Sequence, residues 1–176
     1  RVAIQGFGNV GKAAAKFLEK SGALLVAASD SAGAIYDPRG LNVAHLMAIK
    51  ERQGKVLEYP QATVIDPAEL SALPCDILVP AARPDVITMA NAPQIQAKMI
   101  LQGANIPVAE PAERYLHDRG VLSLPDFIVN LCGHNRRLAC TLILPAQFKQ
   151  GSARRDKPGF TGRERYFSHA CRPAVF

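Results

Sequence analysis

The chain has 176 residues, of which 48% are hydrophobic and 20% are charged, and its 21 basic and 15 acidic side chains give a formal net charge of +6. These values are ordinary for a globular domain with a sizeable core, and no apolar run approaches the roughly 20 residues that cross a membrane. Neither a secretion signal nor a regular disulfide spacing accompanies the four cysteines. We therefore expect a cytoplasmic protein without a membrane segment.

The positive charge is concentrated at the C-terminal end. Residues 1–131 contain 12 basic and 13 acidic side chains, whereas residues 132–176 contain 9 basic and 2 acidic ones. The composition changes near Asn130, which predicts an ordered domain over residues 1–130 and a basic, non-native or disordered tail over residues 131–176. The first residue already belongs to a predicted strand and no initiator Met precedes it, so we expect a truncated start.

The first predicted strand, residues 2–4, leads directly into Gly-Phe-Gly-Asn-Val-Gly at residues 6–11 and then into a helix over residues 12–18. This spacing within a strand–turn–helix unit is typical of dinucleotide binding. The first Gly makes the turn, the second lets a pyrophosphate approach the backbone, and the third lets the helix pack on the strand. Free N–H groups and the helix dipole at the helix start favour the phosphates.

A second predicted strand, residues 23–28, is followed by Asp30. An acidic residue at this point is expected to bind the ribose hydroxyls of NAD, the alternative being an ordinary exposed Asp after a glycine-rich turn. A carboxylate repels the 2′-phosphate of NADP, so Asp30 favours NAD. Arg39 is close in sequence and keeps NADP open.

A turn at residues 31–33 leads to Ile35 and Tyr36, and after the turn residues at 37–40 a helix is predicted near residues 41–52. The predicted apolar stripe of that helix leaves His45 near the polar side. We therefore expect His45 to be a surface or boundary residue and not a catalytic one. Asp66 followed by Pro67 is typical of a capped helix start. The residues expected in the stripe are Leu41, Ala44, Leu46, Met47 and Ile49.

Three more short apolar runs, residues 76–79, 99–101 and 121–124, predict further strands. The alternation of strands and helices predicts an α/β fold: a Rossmann-like, doubly wound and mostly parallel sheet with helices on both faces, followed by an irregular C-terminal tail. Ligands bind at the carboxyl ends of the strands in such sheets. The loops at residues 80–82, 102–107 and 125–126 are therefore expected on the same edge as the glycine turn.

Several motifs in register over residues 1 to about 130 resemble the cofactor domain of the glutamate/leucine/phenylalanine/valine dehydrogenase family. The resemblance implies oxidative deamination of an L-amino acid, glutamate first, to the 2-oxo acid and ammonia, with NAD or NADP as cofactor. The motifs are Gln5–Gly11, Ser29–Ser31 with Gly33, Ile35–Pro38, Gly40–Leu41, Cys75–Ala82, Gly103–Asn105 with Pro107, and Pro125–Ile128 with Asn130.

The resemblance also implies the cofactor-binding residues and places none of the catalytic ones in this chain. By this resemblance the glycine turn binds the pyrophosphate, and Asp30 with Ser31 binds the adenosine ribose. Residues of the later loops line the nicotinamide ribose, and Asn130 lies at the mouth of the catalytic cleft. No metal ligands are implied. The full set is Gly6, Phe7, Gly8, Asn9, Val10, Gly11, Asp30, Ser31, Ala81, Ala82, Asn105 and Asn130.

Some positions depart from the family pattern. Gln102 stands where the family usually has Glu, and Ile106 and Val108 replace a Gly and a Thr. The catalytic Lys residues of the family belong to an N-terminal substrate domain, and that domain also carries most of the contacts of the multimer. We therefore expect this chain to bind dinucleotide without catalysing the reaction, with the substrate domain and a homo-oligomer as partners in the intact enzyme.

The tail has several interpretations. A reading-frame shift is one hypothesis, because residues 132–137, back-translated and read one base later, permit Ala-Val-Ile-Thr-Ala-Ala, which resembles the family's next helix. A zinc site is disfavoured because the Cys and His spacing fits no ligand pattern. A non-catalytic Rossmann module whose basic tail binds nucleic acid or a protein partner is the alternative function, although a solvated, disordered segment explains the same composition better.

Overall fold

The computed structural model describes residues 1–126. Asn130, the tail over residues 131–176 and the hypotheses about that tail lie outside the described residues. Within residues 1–126 no helix is long and apolar enough to cross a membrane. The strands are β1 (Val2–Gln5), β2 (Leu25–Ser29), β3 (Ala34–Tyr36), β4 (Thr63–Ile65), β5 (Ile77–Pro80), β6 (Met99–Leu101) and β7 (Leu122–Leu124), and the helices are α1 (Asn9–Lys20), α2 (Val43–Gln53) and α3 (Glu110–Asp118).

The strands form one sheet in the order β4-β3-β2-β1-β5-β6-β7. β1 pairs in parallel with both β2 and β5, and the parallel pairing continues through β6 to β7. β3 and β4 extend the opposite edge in antiparallel pairing. The sheet is therefore Rossmann-like and mostly parallel, as predicted.

Helices cover both faces of the sheet. α1 packs on the face that carries Ile4, because the methyl Cγ2 of Ile4 lies 3.2 Å from the ideal Cβ position at Gly11 of the helix. On the other face, Ala112 and Leu116 of α3 join a core cluster with Leu78 and other strand residues. Burial of both faces explains why the central strands read as almost continuous apolar runs.

α2 begins at Val43, two residues later than the sequence pattern indicates. Asn42 Oδ1 accepts a hydrogen bond from the backbone N–H of His45 at 2.8 Å and caps the helix. His45 is exposed, as predicted, but Ala44 is exposed as well, so its assignment to the apolar stripe was wrong. Val43 takes the inward position instead.

The predicted helix at Asp66 is only a 3₁₀ turn, Glu69–Ala72. Asp66 Oδ1 accepts a hydrogen bond from the N–H of Ala68 at 2.8 Å and so makes a local turn rather than a helix cap. Leu73 precedes Pro74, which disfavours the helical conformation, and Leu73 is extended with ψ at 145°. Too few residues remain before Pro74 for an α-helix.

Candidate functional site

The candidate site is the crevice at the carboxyl ends of β1 and β5. From β1 the chain passes through α1 to β2, which lies on one side of β1, whereas β5 lies on the other side of β1. The order in which strands are added to the sheet therefore reverses between β1 and β5. Crevices at such switch points are where ligands bind in open α/β sheets. The loops after β1, β5 and β6 all reach this edge.

Gly6 makes the turn out of β1 in a conformation that favours glycine, with φ at +98°. Its N–H donates to the backbone oxygen of Ser29 at 3.1 Å and lies 3.2 Å from the Ser29 hydroxyl. A Cβ atom at Gly6 would lie only 2.7 Å from backbone atoms of Ala81 and Ala82. The turn and the loop after β5 are therefore in direct backbone contact, and a side chain at Gly6 would force them apart.

The start of α1 is open to an anion. Gly8 is the N-cap residue, no side chain caps the helix, and no acidic residue occupies the first turn. The first four N–H groups of a helix have no partner within it, and they carry its positive dipole end. A Cβ at Gly8 would meet nothing within 4 Å, which leaves space for a phosphate against the backbone.

The remaining residues of the turn have different surroundings. The side chain of Phe7 is fully buried, and its N–H donates to the Ser29 oxygen at 2.6 Å. Asn9 is exposed on the first turn of α1, and Val10 is 45% exposed. A Cβ at Gly11 would overlap the carbonyl oxygen of Gly6, so only glycine lets α1 start this close to β1.

The side chain of Asp30 is only 6% exposed, and it pairs with the Lys50 ammonium. The Asp30 Oδ2 atom accepts hydrogen bonds from Lys50 Nζ and, at 2.9 Å, from the Val56 N–H, while Oδ1 accepts one from the Ala32 N–H at 2.8 Å. Burial alone would raise the pKa of Asp30, but these hydrogen bonds and the Lys50 charge outweigh it and hold the pKa below its ordinary value. The carboxylate is therefore ionised and part of the fold.

Two further candidate residues follow Asp30 along the chain. Ser31, the next residue, is exposed. The Arg39 guanidinium contacts the Asp37 carboxylate, with Nε 3.2 Å from Oδ1 and Nη2 3.2 Å from Oδ2. Arg39 holds the pKa of Asp37 below its ordinary value, so the guanidinium, although exposed, is already paired.

The loops after β5 and β6 meet beside the glycine turn. The N–H groups of Gly103 and Ala104 both donate to the Pro80 oxygen at 3.0 Å. A Cβ at Gly103 would lie 3.0 Å from Ala81 Cβ and 3.2 Å from Val10 Cγ1. Ala82 and Asn105 are exposed at this edge and Ala81 is half-buried. The structure thus brings together the turn and the two later loops, as predicted, while Asn130 lies outside the described residues.

Gln5, the last residue of β1, is a site candidate to which the sequence pattern assigns no role. Its Oε1 atom is buried and has no hydrogen-bond partner among residues 1–126. A polar residue that ends a buried strand just before the glycine turn is the signal that could have marked it. The atom therefore retains an unused capacity to accept a hydrogen bond.

Gln102, one of the departures from the family pattern, directly follows β6 and is buried. Its Nε2 amide donates to Glu113 Oε1 and to the Ser123 hydroxyl, each at 2.9 Å. These bonds join β6, α3 and β7. The residue therefore holds the edge of the sheet together rather than facing the crevice.

We predict that Gln102→Glu lowers the free energy of unfolding by about 2 kcal/mol at pH 7, because two carboxylates would share a buried site and one donor would be lost. We expect the loss to be smaller at about pH 4.5, because protonation of one carboxyl would remove the repulsion and restore a hydrogen-bond donor. Urea unfolding at both pH values measures this difference. Gln102→Glu with Glu113→Gln should recover most of the stability, and a double variant no more stable than Gln102→Glu would contradict the explanation.

Known proteins share both this sequence and this fold. The family model for glutamate/leucine/phenylalanine/valine dehydrogenases matches residues 1–134. The chain is 49% identical over 132 residues to a glutamate dehydrogenase of Aeropyrum pernix, which covers 75% of this chain and 32% of that protein. It is 40% identical over 133 residues to an NADP-specific glutamate dehydrogenase of Saccharolobus shibatae, covering 76% of this chain and 31% of that protein.

Solved structures of amino-acid dehydrogenases have a similar fold. The hetero-hexameric glutamate dehydrogenase of Thermus thermophilus in its Leu-bound form superposes with a TM-score of 0.69 and 35% identity, over 81% of this chain and 32% of that one. The L-tryptophan dehydrogenase of Nostoc punctiforme gives a TM-score of 0.53 at 30% identity, over 81% of this chain and 35% of that one. The chain thus spans only 31–35% of the length of these four proteins.

Proposed function

The chain belongs to the glutamate/leucine/phenylalanine/valine dehydrogenase family, and on this premise we propose that it is the dinucleotide-binding part of an L-amino-acid dehydrogenase. Glutamate is the first candidate substrate, because the curated relatives with 40–49% identity are glutamate dehydrogenases. Branched-chain and aromatic amino acids come next. Oxidative deamination to the 2-oxo acid and ammonia is the proposed reaction of the whole enzyme.

The observation that carries the proposal is the open start of α1. Gly8 has free space in front of it, and no side chain caps the unpaired N–H groups of the first turn. An anion at this point gains hydrogen bonds and the field of the helix dipole, with no acidic side chain in the turn to repel it. A pyrophosphate fits this chemistry, and the crevice beside it continues along the loops after β5 and β6.

We propose that each group of residues contacts a different part of the dinucleotide. Gly6 and Gly11 shape the turn, while Gly8, Asn9 and Val10 bring their backbone to the pyrophosphate. Phe7 supports the turn from the core. Ala81, Ala82 and Asn105 line the nicotinamide ribose, and Asn130 lies near the cleft mouth. The nicotinamide, when bound, accepts the hydride; this chain's residues position it and exclude water from it.

At the adenosine end we propose that Asp30 and Ser31 contact the ribose. Oδ1 of Asp30 accepts one hydrogen bond, from Ala32, and retains a lone pair for a ribose hydroxyl. The proximity of a carboxylate favours NAD over NADP, while Lys50 offsets part of its charge and Arg39 is engaged by Asp37. NAD is therefore the first cofactor to test and NADP the second.

The proton transfers of the reaction need groups that the proposed crevice does not supply. We propose that they come from a substrate domain, the part of the enzyme beyond the one-third of its length that this chain matches. On this proposal the chain alone binds dinucleotide without turnover. A homo-oligomer is the proposed assembly of the whole enzyme, and its subunit contacts lie mainly in that domain.

We expect the chain to bind NADH and Gly8→Glu to weaken binding at least tenfold, because the new carboxylate would occupy the pyrophosphate position and repel the phosphates. The fold should be retained, since the space in front of Gly8 is open and an acidic group at a helix N-terminus is favourable. Fluorescence titration with NADH and with NADPH measures the affinities. Circular dichroism reports the fold.

Gly8→Ala is the matched control, because its methyl group enters the same space without charge. We expect it to weaken NADH binding less than Gly8→Glu and to weaken it to the same extent at low and high salt. If the folded wild-type chain bound neither NADH nor NADPH, the proposed function would be wrong.

A further inference from the structure

Two residues at the candidate crevice have an unfavourable backbone conformation and are bonded to each other. Asp85, with φ at +49°, and Ile106, with φ at +43°, are the non-glycine residues of positive φ within residues 1–126. The N–H of Asp85 donates to the carbonyl oxygen of Ile106 at 3.1 Å. Asp85 follows β5 and Ile106 follows β6, so the strained positions link the two loops beside the crevice.

Further hydrogen bonds hold this conformation, and we call residues 85–87 with residues 106–109 the loop clamp. The Ile106 N–H donates to Asp126 Oδ2 at 3.1 Å. The Ile87 N–H donates to the Pro107 oxygen at 3.0 Å, and the Ala109 N–H donates to the Ile87 oxygen at 2.9 Å. Ile87 and Val108 are buried beneath these bonds. The surroundings therefore determine the backbone of the loop clamp at several points.

The side chain of Ile106 gains little from this arrangement within the described chain. It is 67% exposed, although β-branched residues are among the least tolerant of positive φ. Packing in residues 1–126 does not compensate for the strain. Strained positions that neighbouring structure enforces are found preferentially at ligand sites, where the conformation itself has a use.

The position of Ile106 indicates which part of a ligand it would meet. It directly follows Asn105 in the loop after β6, and that loop approaches the exposed Val10, whose Cγ1 lies 3.2 Å from the ideal Cβ of Gly103. Val10 and Ile106 are thus exposed apolar residues of α1 and of the loop after β6, whereas Asp30 follows β2 on the other side of β1. Both rings of the reduced dinucleotide, adenine and nicotinamide, are uncharged and flat enough to suit an apolar wall. The adenosine end is proposed to lie at Asp30, after β2 on the other side of β1, so the ring on the β6 side is the nicotinamide.

We propose that Ile106 is a specificity-determining contact for the nicotinamide half of the dinucleotide and that the loop clamp holds it in place for this contact. The inference rests on the proposed function. Asp85 is a positioning residue in this scheme, because it acts through its hydrogen bond to Ile106. The strain at Ile106 is then the cost of presenting a branched apolar group where glycine would fit the backbone better.

The test compares NADH with ADP-ribose, which shares the adenosine and pyrophosphate but lacks the nicotinamide. Using the full 176-residue chain, we expect Ile106→Gly to weaken NADH binding about fivefold and to leave ADP-ribose binding within about twofold. The unfolding midpoint should rise by about 2–4 °C, since glycine relieves the positive-φ strain. Ile106→Val should keep most of the NADH affinity.

Val64→Ala is the matched control, because Val64 is 62% exposed but lies on β4 at the far edge of the sheet. It should change neither affinity. Unchanged NADH binding by Ile106→Gly, or an equal loss for NADH and ADP-ribose, would overturn the inference while the proposed function stood. A wild-type chain that bound neither ligand would overturn both.

Discussion

Replacing Gly11 with alanine should lower the free energy of unfolding by about 3 kcal/mol or more, the largest effect expected for a single methyl group in this chain. The added Cβ would overlap the carbonyl oxygen of Gly6. The Cβ is fixed to the backbone of α1 and the oxygen to the backbone of the turn after β1, so neither atom can move aside alone. Helix propensity acts in the opposite direction, because alanine is favoured over glycine inside a helix by about 1 kcal/mol. The overlap exceeds that gain, so α1 must move away from β1.

Gly8→Ala provides the comparison for stability. A Cβ at Gly8 meets nothing within 4 Å, so the cost should be about 1 kcal/mol or less, from the poorer N-cap alone. Urea unfolding followed by circular dichroism measures both variants. Equal stability of Gly11→Ala and Gly8→Ala would mean that the close approach of α1 to β1 is not what requires glycine at position 11.

The elements with strong local signals were predicted well. β1, the glycine turn and α1 follow one another within 20 residues, and each has its own marker in composition or spacing. β6 coincides with the predicted run at residues 99–101. In these segments local preference and burial in the sheet favour the same conformation, which is why sequence patterns are sufficient.

Elements that depend on distant partners were predicted poorly. β4, which sequence analysis did not predict, has only three residues, exposes Val64 and exists through antiparallel pairing with β3. The turn after Asp66 was predicted as a helix because its first two residues match a helix start, whereas Pro74 ends the segment too soon. A pattern read within one short segment contains neither the pairing of β4 with β3 nor the limit that Pro74 sets on the helix.

The same distinction applies to the candidate site. The sequence was sufficient to predict that the glycine turn and the loops after β5 and β6 share an edge, because the carboxyl ends of parallel strands meet there. It did not predict the partners of Asp30, since Lys50 and Val56 are 20 and 26 positions away. It also did not predict the hydrogen bond between Asp85 and Ile106, because positive φ is normally signalled by glycine. The roles of the individual cofactor-binding residues stay predictions.

Asp30→Asn should lower the free energy of unfolding by about 2–3 kcal/mol at pH 7, because the Lys50 ammonium would lose its counter-charge in a largely buried site. An Asn amide also turns an NH₂ group toward Lys50 or toward Ala32, where the carboxylate accepts hydrogen bonds. The pKa of Asp30 lies below its ordinary value in the folded state. Its stabilising contribution is therefore complete above about pH 4 and is lost as the pH falls through the folded-state pKa.

Unfolding of both proteins from pH 7 down to pH 3 tests this, and the difference between wild type and Asp30→Asn should shrink only below about pH 4. Lys50→Met, alone and with Asp30→Asn, completes a double-mutant cycle, in which the second substitution should cost less than it does alone because the unpaired ammonium is gone. A difference that did not change with pH, together with additive substitutions, would contradict the ion pair. NADH titration of folded Asp30→Asn then separates stability from binding: the proposed ribose contact requires weaker NADH binding by the folded variant, whereas a carboxylate that serves only the fold leaves that affinity unchanged.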